Sequence, residues 1–404
     1  MKMSFRWSIL AGSVFLHVSC GTLSSRVLYD STESVQRLNE GGSIQAEADQ
    51  LARPLIESGK ISGMVVGVVT PDGAAQSFSY GFSEHSGAKK PLSENDIFQV
   101  GSVSKLFIAS VVAILVDEGK LHYEDTVREI LPPEIPVSED AGELTLYELI
   151  THTGGLPRES MGLAQLKDFI RYLFTGKNLY SYLDRDYLYE YLRSCKIKPK
   201  GKRGYQYSNI GLALLTHLIE VKTGKSFPEL AEEKIFEPLK MNNTTFSLNE
   251  VQRRSLAVGH AGKDEPRFMR RHQDIAPWDM GDTMRSVGGL YSTPHDLLIF
   301  CKANLGMIDY PSKGSLVKMH RAHVETPAED VALGWLVNYF DDRRITLHYK
   351  HGMVSGYSAY VGLNIKQQIA VVVLTTNFEW DDEVGHNLLL RLSRAQKGDS
   401  SSIL

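Results

Sequence analysis

Cysteine is scarce in this 404-residue chain, with three in all. Cys20 lies near the N-terminus. Cys195 and Cys301 are too few for a disulfide framework, and their spacing leaves open whether they pair or stay as buried thiols. No Cys/His or His-x-x-x-His grouping has helical or zinc-like spacing, so no metal is expected. Charge of one sign is lacking too. With 44 Lys and Arg against 48 Asp and Glu, and no dense basic run, there is no electrostatic footprint for nucleic acid. A Gly-x-Ser-x-Gly elbow, a phosphate-binding loop and a dinucleotide fingerprint are all missing, which leaves no cofactor implied.

The N-terminal apolar run, Trp7 to Val18, is too short to span a bilayer. Lys2 and Arg6 precede it, and Ser19, Cys20 and Gly21 follow. A charged start, a short apolar middle and small residues describe an export signal over residues 1–20. Cys20 also resembles the lipidated cysteine of bacterial lipoproteins, with His17 where such signals carry leucine. The expectation is an exported protein, periplasmic or anchored to the membrane through Cys20. Residues 21–42 read as a flexible tether and 395–404 as a disordered tail.

Between these ends the pattern is globular. Ile44, Ala48, Leu51 and Leu55 have helical spacing, with Pro54 a kink site. Met64 to Thr70 is a β-branched run, Pro71-Asp72-Gly73 is turn chemistry, and Phe78, Tyr80 and Phe82 alternate as a strand does. From Ser102 the sequence turns helical. One helix runs to Glu118 and stops at Gly119, another starts at Thr145 with Glu148 completing a capping box, and a third covers Asn209 to Thr223. A fourth follows Ser292-Thr293-Pro294. Short β-rich runs return at Leu333–Phe340, Ile345–Tyr349, Tyr357–Leu363 and Ile369–Thr376, with turns at Asp341-Asp342 and Lys366-Gln367. A last helix covers Asp382–Leu392. The fold class is therefore α/β (α+β): an antiparallel sheet built from both termini (43–101 and 306–394) and flanked by helices, with a mainly helical insertion at 102–305.

The chemistry begins at Gly101-Ser102-Val103-Ser104-Lys105, which opens an apolar helix. Ser-x-x-Lys puts a hydroxyl and an amine on one face, within one turn. A serine is a weak nucleophile until a neighbouring base takes its proton, and a helix N-terminus favours developing negative charge. Alone the motif decides nothing, because Ser86-Gly87-Ala88-Lys89 and Ser315-Leu316-Val317-Lys318 also match it. Only Ser102 has ordered partners: Tyr205-Gln206-Tyr207-Ser208-Asn209 ahead of a helix, then Lys350-His351-Gly352 after a strand-like run. A literal Lys222-Thr223-Gly224 is set aside. It lies about 20 Å along the helix from Asn209, and Gly224 reads as a helix stop.

This ordered set resembles the active-site-serine β-lactamase and penicillin-binding-protein family, and its tyrosine-containing middle element resembles class C β-lactamases, DD-peptidases and related esterases. Leu149-Ile150-Thr151-His152-Thr153-Gly154-Gly155-Leu156-Pro157, Ile235 to Met241 and Gly288 to Thr293 extend the similarity over residues 44–394. The resemblance implies a cleft between an α/β domain and a helical insertion. It implies that Ser102 is acylated, that Lys105 shares the deprotonation and that Tyr207 relays protons. Asn209 would hold the substrate amide. Lys350 would keep the site positive, lowering the pKa of Tyr207 and attracting a carboxylate. The N–H groups of Ser102 and Met353, either side of Gly352, would form an oxyanion hole.

His351 departs from the family pattern, replacing a small hydroxyl residue. It reads either as a ligand contact or as a packed ring. His152 reads as a loop-fixing hydrogen bonder rather than a catalytic partner. Tyr172, Tyr180, Tyr182, Tyr187, Tyr189 and Tyr191 read as packing faces, or else as an aromatic wall for substrate. The expected substrate is a small molecule or peptide, either a D-amino-acid peptide or a β-lactam. A carboxylesterase is the alternative on the same fold, and a non-catalytic protein that binds cell-wall peptide is the alternative of another class.

Overall fold

The computed structural model describes residues 31–85, 88–159, 163–175, 179–180, 182–262, 274–379 and 383–395. The expected export signal, Cys20, Ser86 and the tail beyond 395 lie outside them.

The sheet forms as the sequence pattern requires. Strands β1 (Gly63–Val69), β2 (Ala75–His85) and β3 (Ala88–Pro91) come from the N-terminal part. Six more come from the C-terminal part: β4 (Val324–Glu325), β5 (Asp330–Val331), β6 (Leu336–Phe340), β7 (Ile345–Val354), β8 (Tyr357–Asn364) and β9 (Ile369–Thr375). They assemble as one nine-stranded sheet in the order β3-β2-β1-β9-β8-β7-β6-β5-β4. Every named pairing is antiparallel, and β1 against β9 joins the two ends of the chain. The hairpin turns fall where expected: Gly73 has φ +80°, and Asp341, Asp342 and Gln368 have φ of +50°, +55° and +55°.

Alternation along the strands builds two cores. Val65 and Val69 face one, while Met64, Val66 and Val68 face the other. The second core is covered by the helices near the chain ends: α1 (Thr32–Asn39), α2 (Ile44–Glu57) and α10 (Glu383–Ala395). The first core is covered by α3 (Ser104–Asp117), α4 (Leu146–Ile150), α5 (Leu163–Thr175), α6 (Arg185–Ser194), α7 (Asn209–Thr223), α8 (Gly281–Gly288) and α9 (Pro294–Asn304).

Two boundaries differ from the sequence expectation. The tether ends earlier, because residues 32–39 are helical. Arg37 Nε donates to Glu47 Oε1 (3.0 Å), the buried Arg391 donates to Glu47 Oε2 (2.9 Å), and Arg394 donates to Ser31 Oγ (2.6 Å). These bonds fasten α1 to α2 and α10. Helix α9, placed by the sequence in the insertion, packs on the sheet instead: a Cβ on Gly67 of β1 would meet Leu298 at 2.8 Å. Cys195 and Cys301 are both buried free thiols.

Candidate active site

The nucleophile turn is tightly positioned. Phe98–Gln99 pairs with Tyr291–Ser292, and Val100 N–H donates to Leu290 O (2.9 Å). Gly101 takes φ +54°, and Gly101–Val103 forms a single 3-10 turn ahead of α3. Ser104 Oγ closes that turn by donating to Gly101 O (2.6 Å). Ser102 thus sits, partly exposed, at the N-terminal end of a helix whose residues Ser104 to Leu115 are all buried.

One turn on, Lys105 is 2% exposed, and its Nζ donates to Ser102 Oγ (2.8 Å) and to Val287 O (2.8 Å). Tyr207 precedes α7, and its OH donates to the same Oγ (2.9 Å). Three cations surround that phenol: Lys350 Nζ at 5.1 Å, Lys105 Nζ at 5.3 Å and Arg158 Cζ at 5.3 Å from the ring centroid. In a site this dry they stabilise negative charge developing on the phenol or serine oxygen.

Lys350 lies inside β7, which continues through the third motif rather than ending before it. Gly352 allows the strand to touch the nucleophile turn. A Cβ there would lie 2.1 Å from Val100 O and 2.7 Å from Ser102 N. A Cβ on Gly101 would likewise lie 2.8 Å from Met353 N. The backbone nitrogens of Ser102 and Met353 are therefore brought side by side across this contact.

His351 is the residue the strand turns away. Its cross-strand partner is Tyr360, its ring lies 6.0 Å from that of Tyr349, and it perturbs His386 of α10. Alternation puts Lys350 on the Ser102 face and His351, 3% exposed, on the face under α10. Its expected place among the substrate-binding residues is corrected to a packed ring.

The floor of the site was only partly legible. His152, in the Thr-Gly-Gly loop with φ +58°, packs its ring 4.6 Å from that of Tyr207 and accepts from Ser208 N–H at Nδ1 (3.1 Å). Burial, then Lys350, Lys105 and Arg158, hold it well below the usual imidazole range, so it is a neutral prop. Asn209 donates from Nδ2 to Glu159 Oε1 (2.6 Å), a buried partner that sequence reasoning did not single out. Its only signal was an acidic residue directly after Leu156-Pro157-Arg158. Tyr180 donates to the same oxygen (3.4 Å), and its ring lies 6.0 Å from Trp278. Gln99 holds the Trp278 backbone by two hydrogen bonds (2.8 and 2.9 Å). Tyr172 is fully buried and accepts from Trp278 Nε1 (3.2 Å).

The competing motifs have other occupations. Lys222 Nζ lies 3.7 Å from Asp125 Oδ2, and Gly224, with φ +71°, ends α7. Ser315 Oγ and Lys318 Nζ both donate to Asp117 (2.7 and 2.9 Å). No metal-holding group of His, Cys, Asp or Glu occurs among the described residues. No helix there is long and apolar enough to cross a membrane.

A helix-flanked antiparallel sheet with Ser102, Lys105, Tyr207 and Lys350 gathered at its face defines a class of active-site-serine hydrolases. A family model described as Beta-lactamase matches residues 48–396, and the chain belongs to that family. The chain is similar to the D-alanyl-D-alanine-carboxypeptidase/endopeptidase AmpH of Escherichia coli K12, with 24% identity over 86% of this chain and 87% of that one. A beta-lactamase of Pseudomonas fluorescens is 27% identical over 72% of this chain and 74% of its own. Among solved structures, a class C beta-lactamase from Rhodobacter sphaeroides superposes with a TM-score of 0.71 at 22% identity, covering 86% of this chain and 98% of that one. The chain is accordingly a serine hydrolase.

Proposed function

We propose that the protein hydrolyses an amide or ester through an acyl-enzyme on Ser102, with a D-amino-acid peptide or a β-lactam as substrate. The observation that carries the reading is the paired contact of Lys105 Nζ and Tyr207 OH with Ser102 Oγ. In the reaction, Ser102 Oγ attacks the substrate carbonyl as its proton passes to the Lys105–Tyr207 pair. The carbonyl oxygen takes up negative charge facing the Ser102 and Met353 N–H groups. The carbon–nitrogen or carbon–oxygen bond then breaks, and the leaving group takes a proton back through Tyr207. Water repeats the sequence on the acyl-enzyme and regenerates Ser102. Lys350 supplies positive charge for a substrate carboxylate. Residues 1–20 would direct export, with Cys20 as the point of a lipid anchor.

The experiment is a substrate panel of nitrocefin, p-nitrophenyl esters and D-alanyl peptides, run on the wild type and Ser102→Ala. Turnover of at least one member that disappears in the variant is expected. Turnover of any member surviving Ser102→Ala at the wild-type rate would remove Ser102 from the mechanism. Cleavage of esters alone would identify a carboxylesterase.

A further inference from the structure

A cavity of about 270 Å³ opens between α6, α7 and α8, and none of the residues gathered at Ser102 lines it. Its α7 wall is a polar stripe on a helix that is buried from Asn209 to Ile219 and otherwise mostly Leu and Ile. Thr216, His217 and Glu220 share that face with Ala213, at i, i+3, i+4 and i+7 spacing. Thr283, Arg285 and Ser286 of α8, and Arg185 at the start of α6, supply more of the lining. The α7 wall is fixed in advance: His217 Nε2 lies 2.7 Å from Tyr189 OH, and Thr216 Oγ1 donates to Ala213 O (3.0 Å).

The unspent hydrogen-bonding capacity of this lining is donor capacity. Arg185 gives Nη2 to Glu220 Oε2 (3.2 Å), and Arg285 gives Nη2 to Asp282 Oδ1 (2.7 Å). A guanidinium carries five N–H donors, so each keeps most of its own. Both stay open to solvent, with side chains 62% and 39% exposed. The acids are matched already. The other oxygen of Glu220 accepts from Phe227 N–H (2.9 Å), and Asp282 stands 85% exposed beside Arg285. An ammonium would find no buried carboxylate to spare in this lining, whereas a carboxylate or phosphate would find two guanidinium forks.

The two helices that wall the cavity also hold the two groups on Ser102 Oγ. Tyr207 stands two residues ahead of α7, and Val287 of α8, next to Ser286, accepts from Lys105 Nζ (2.8 Å). We propose that the cavity is an effector site for a small dianion, a compound with two carboxylates or a phosphate, and that its binding raises the reactivity of Ser102. The dianion bridges Arg285 on α8 and Arg185, which is tied to α7 through Glu220. Bridging braces α8 against α7, and so Lys105 and Tyr207 against the serine. This goes beyond the reading of Ser102 as nucleophile and uses its labelling as a readout.

The test uses the full-length protein with succinate and glycerol 3-phosphate as probes, and acetate and glycerol as controls carrying one charge or none. A dianion should raise the melting temperature saturably, by about 2–4 °C, and speed phosphonate labelling of Ser102 by about fivefold with the same midpoint. A response to only one probe names the anionic group and supports the site. Arg185→Gln and Arg285→Gln should each label at the wild-type rate without anion and raise the midpoint by about tenfold or more. Both variants are needed because Arg285 also borders a neighbouring cavity and Arg185 does not. No saturable shift with either dianion, equal shifts with acetate or glycerol, or midpoints unmoved in both variants overturns the site. A melting shift without a change in labelling rate overturns the coupling. Wild type that melts higher with the dianion yet never labels at Ser102 keeps the binding site and loses the nucleophile, and the coupling with it.

Discussion

Replacing Gly352 by alanine probes the contact on which the site is built. The added Cβ would lie 2.1 Å from Val100 O, 2.7 Å from Ser102 N and 2.9 Å from Val103 N, whereas ordinary contact begins at 3.4 Å. All three neighbours are backbone atoms, so no side chain can swing aside. The turn is pinned by Val100 N–H on Leu290 O and by Ser104 Oγ on Gly101 O. The strand is held at Gly352 by its pairing with Ala359 of β8, and up to Tyr349 by β6 as well. Either partner must move by about 1 Å, and a misplacement of that size at a reacting centre costs about 100-fold in rate. Overpacking adds about 1–3 kcal/mol of destabilisation. The assay is the second-order rate of inactivation by a fluorophosphonate, alongside a urea unfolding curve. Gly314→Ala is the control, because a Cβ there meets nothing within 4 Å. A Gly352→Ala protein labelled within about twofold of the wild-type rate would refute the reasoning, since the strand would then be free to move without moving Ser102.

Tyr207→Phe keeps the ring against His152 but removes the OH on Ser102. Turnover should fall by about 100-fold or more with little change in melting temperature, measured by steady-state kinetics and calorimetry. Arg391→Ala strands the buried Glu47 carboxylate, still reached by Arg37, and should cost about 3 kcal/mol in urea unfolding. Burial, then the charge of His351, pushes His386 down to about 3 from its ordinary 6.5. The unfolded chain therefore binds this proton first. The stability contribution is complete above about pH 6.5 and is lost as pH falls towards about 3, by about 1.4 kcal/mol per unit. His386→Gln should flatten the fall in unfolding free energy between about pH 6 and 4, while an unchanged slope would contradict a neutral buried ring.

The reactive cluster was legible because Ser102, Lys105, Tyr207 and Lys350 announce themselves by local spacing and order. Lys222-Thr223-Gly224 could be set aside by helix arithmetic alone, and its lysine indeed reaches Asp125. Strand β1 was legible as a continuous β-branched run, buried on both faces, and β2 as the alternation of Phe78, Tyr80 and Phe82. What the sequence hid lies in contacts between distant segments. Val287 O on Lys105 and Gln99 on Trp278 each span about 180 residues and leave no local pattern. His351 was ambiguous because the sequence showed no strand continuing past Tyr349. Once β7 runs to Val354, alternation alone turns that ring away. Helix α1 was hidden by its Ser-rich surroundings, and what orders it is Arg37 on a glutamate in the next helix.

The central claim is that Ser102 carries the acyl group, and an intact-mass measurement after treatment with a fluorophosphonate tests it most directly. The account predicts one adduct per chain, mapped by peptide fragmentation to Ser102 and missing from Ser102→Ala. An adduct on another serine, or one that persists in Ser102→Ala, would contradict it.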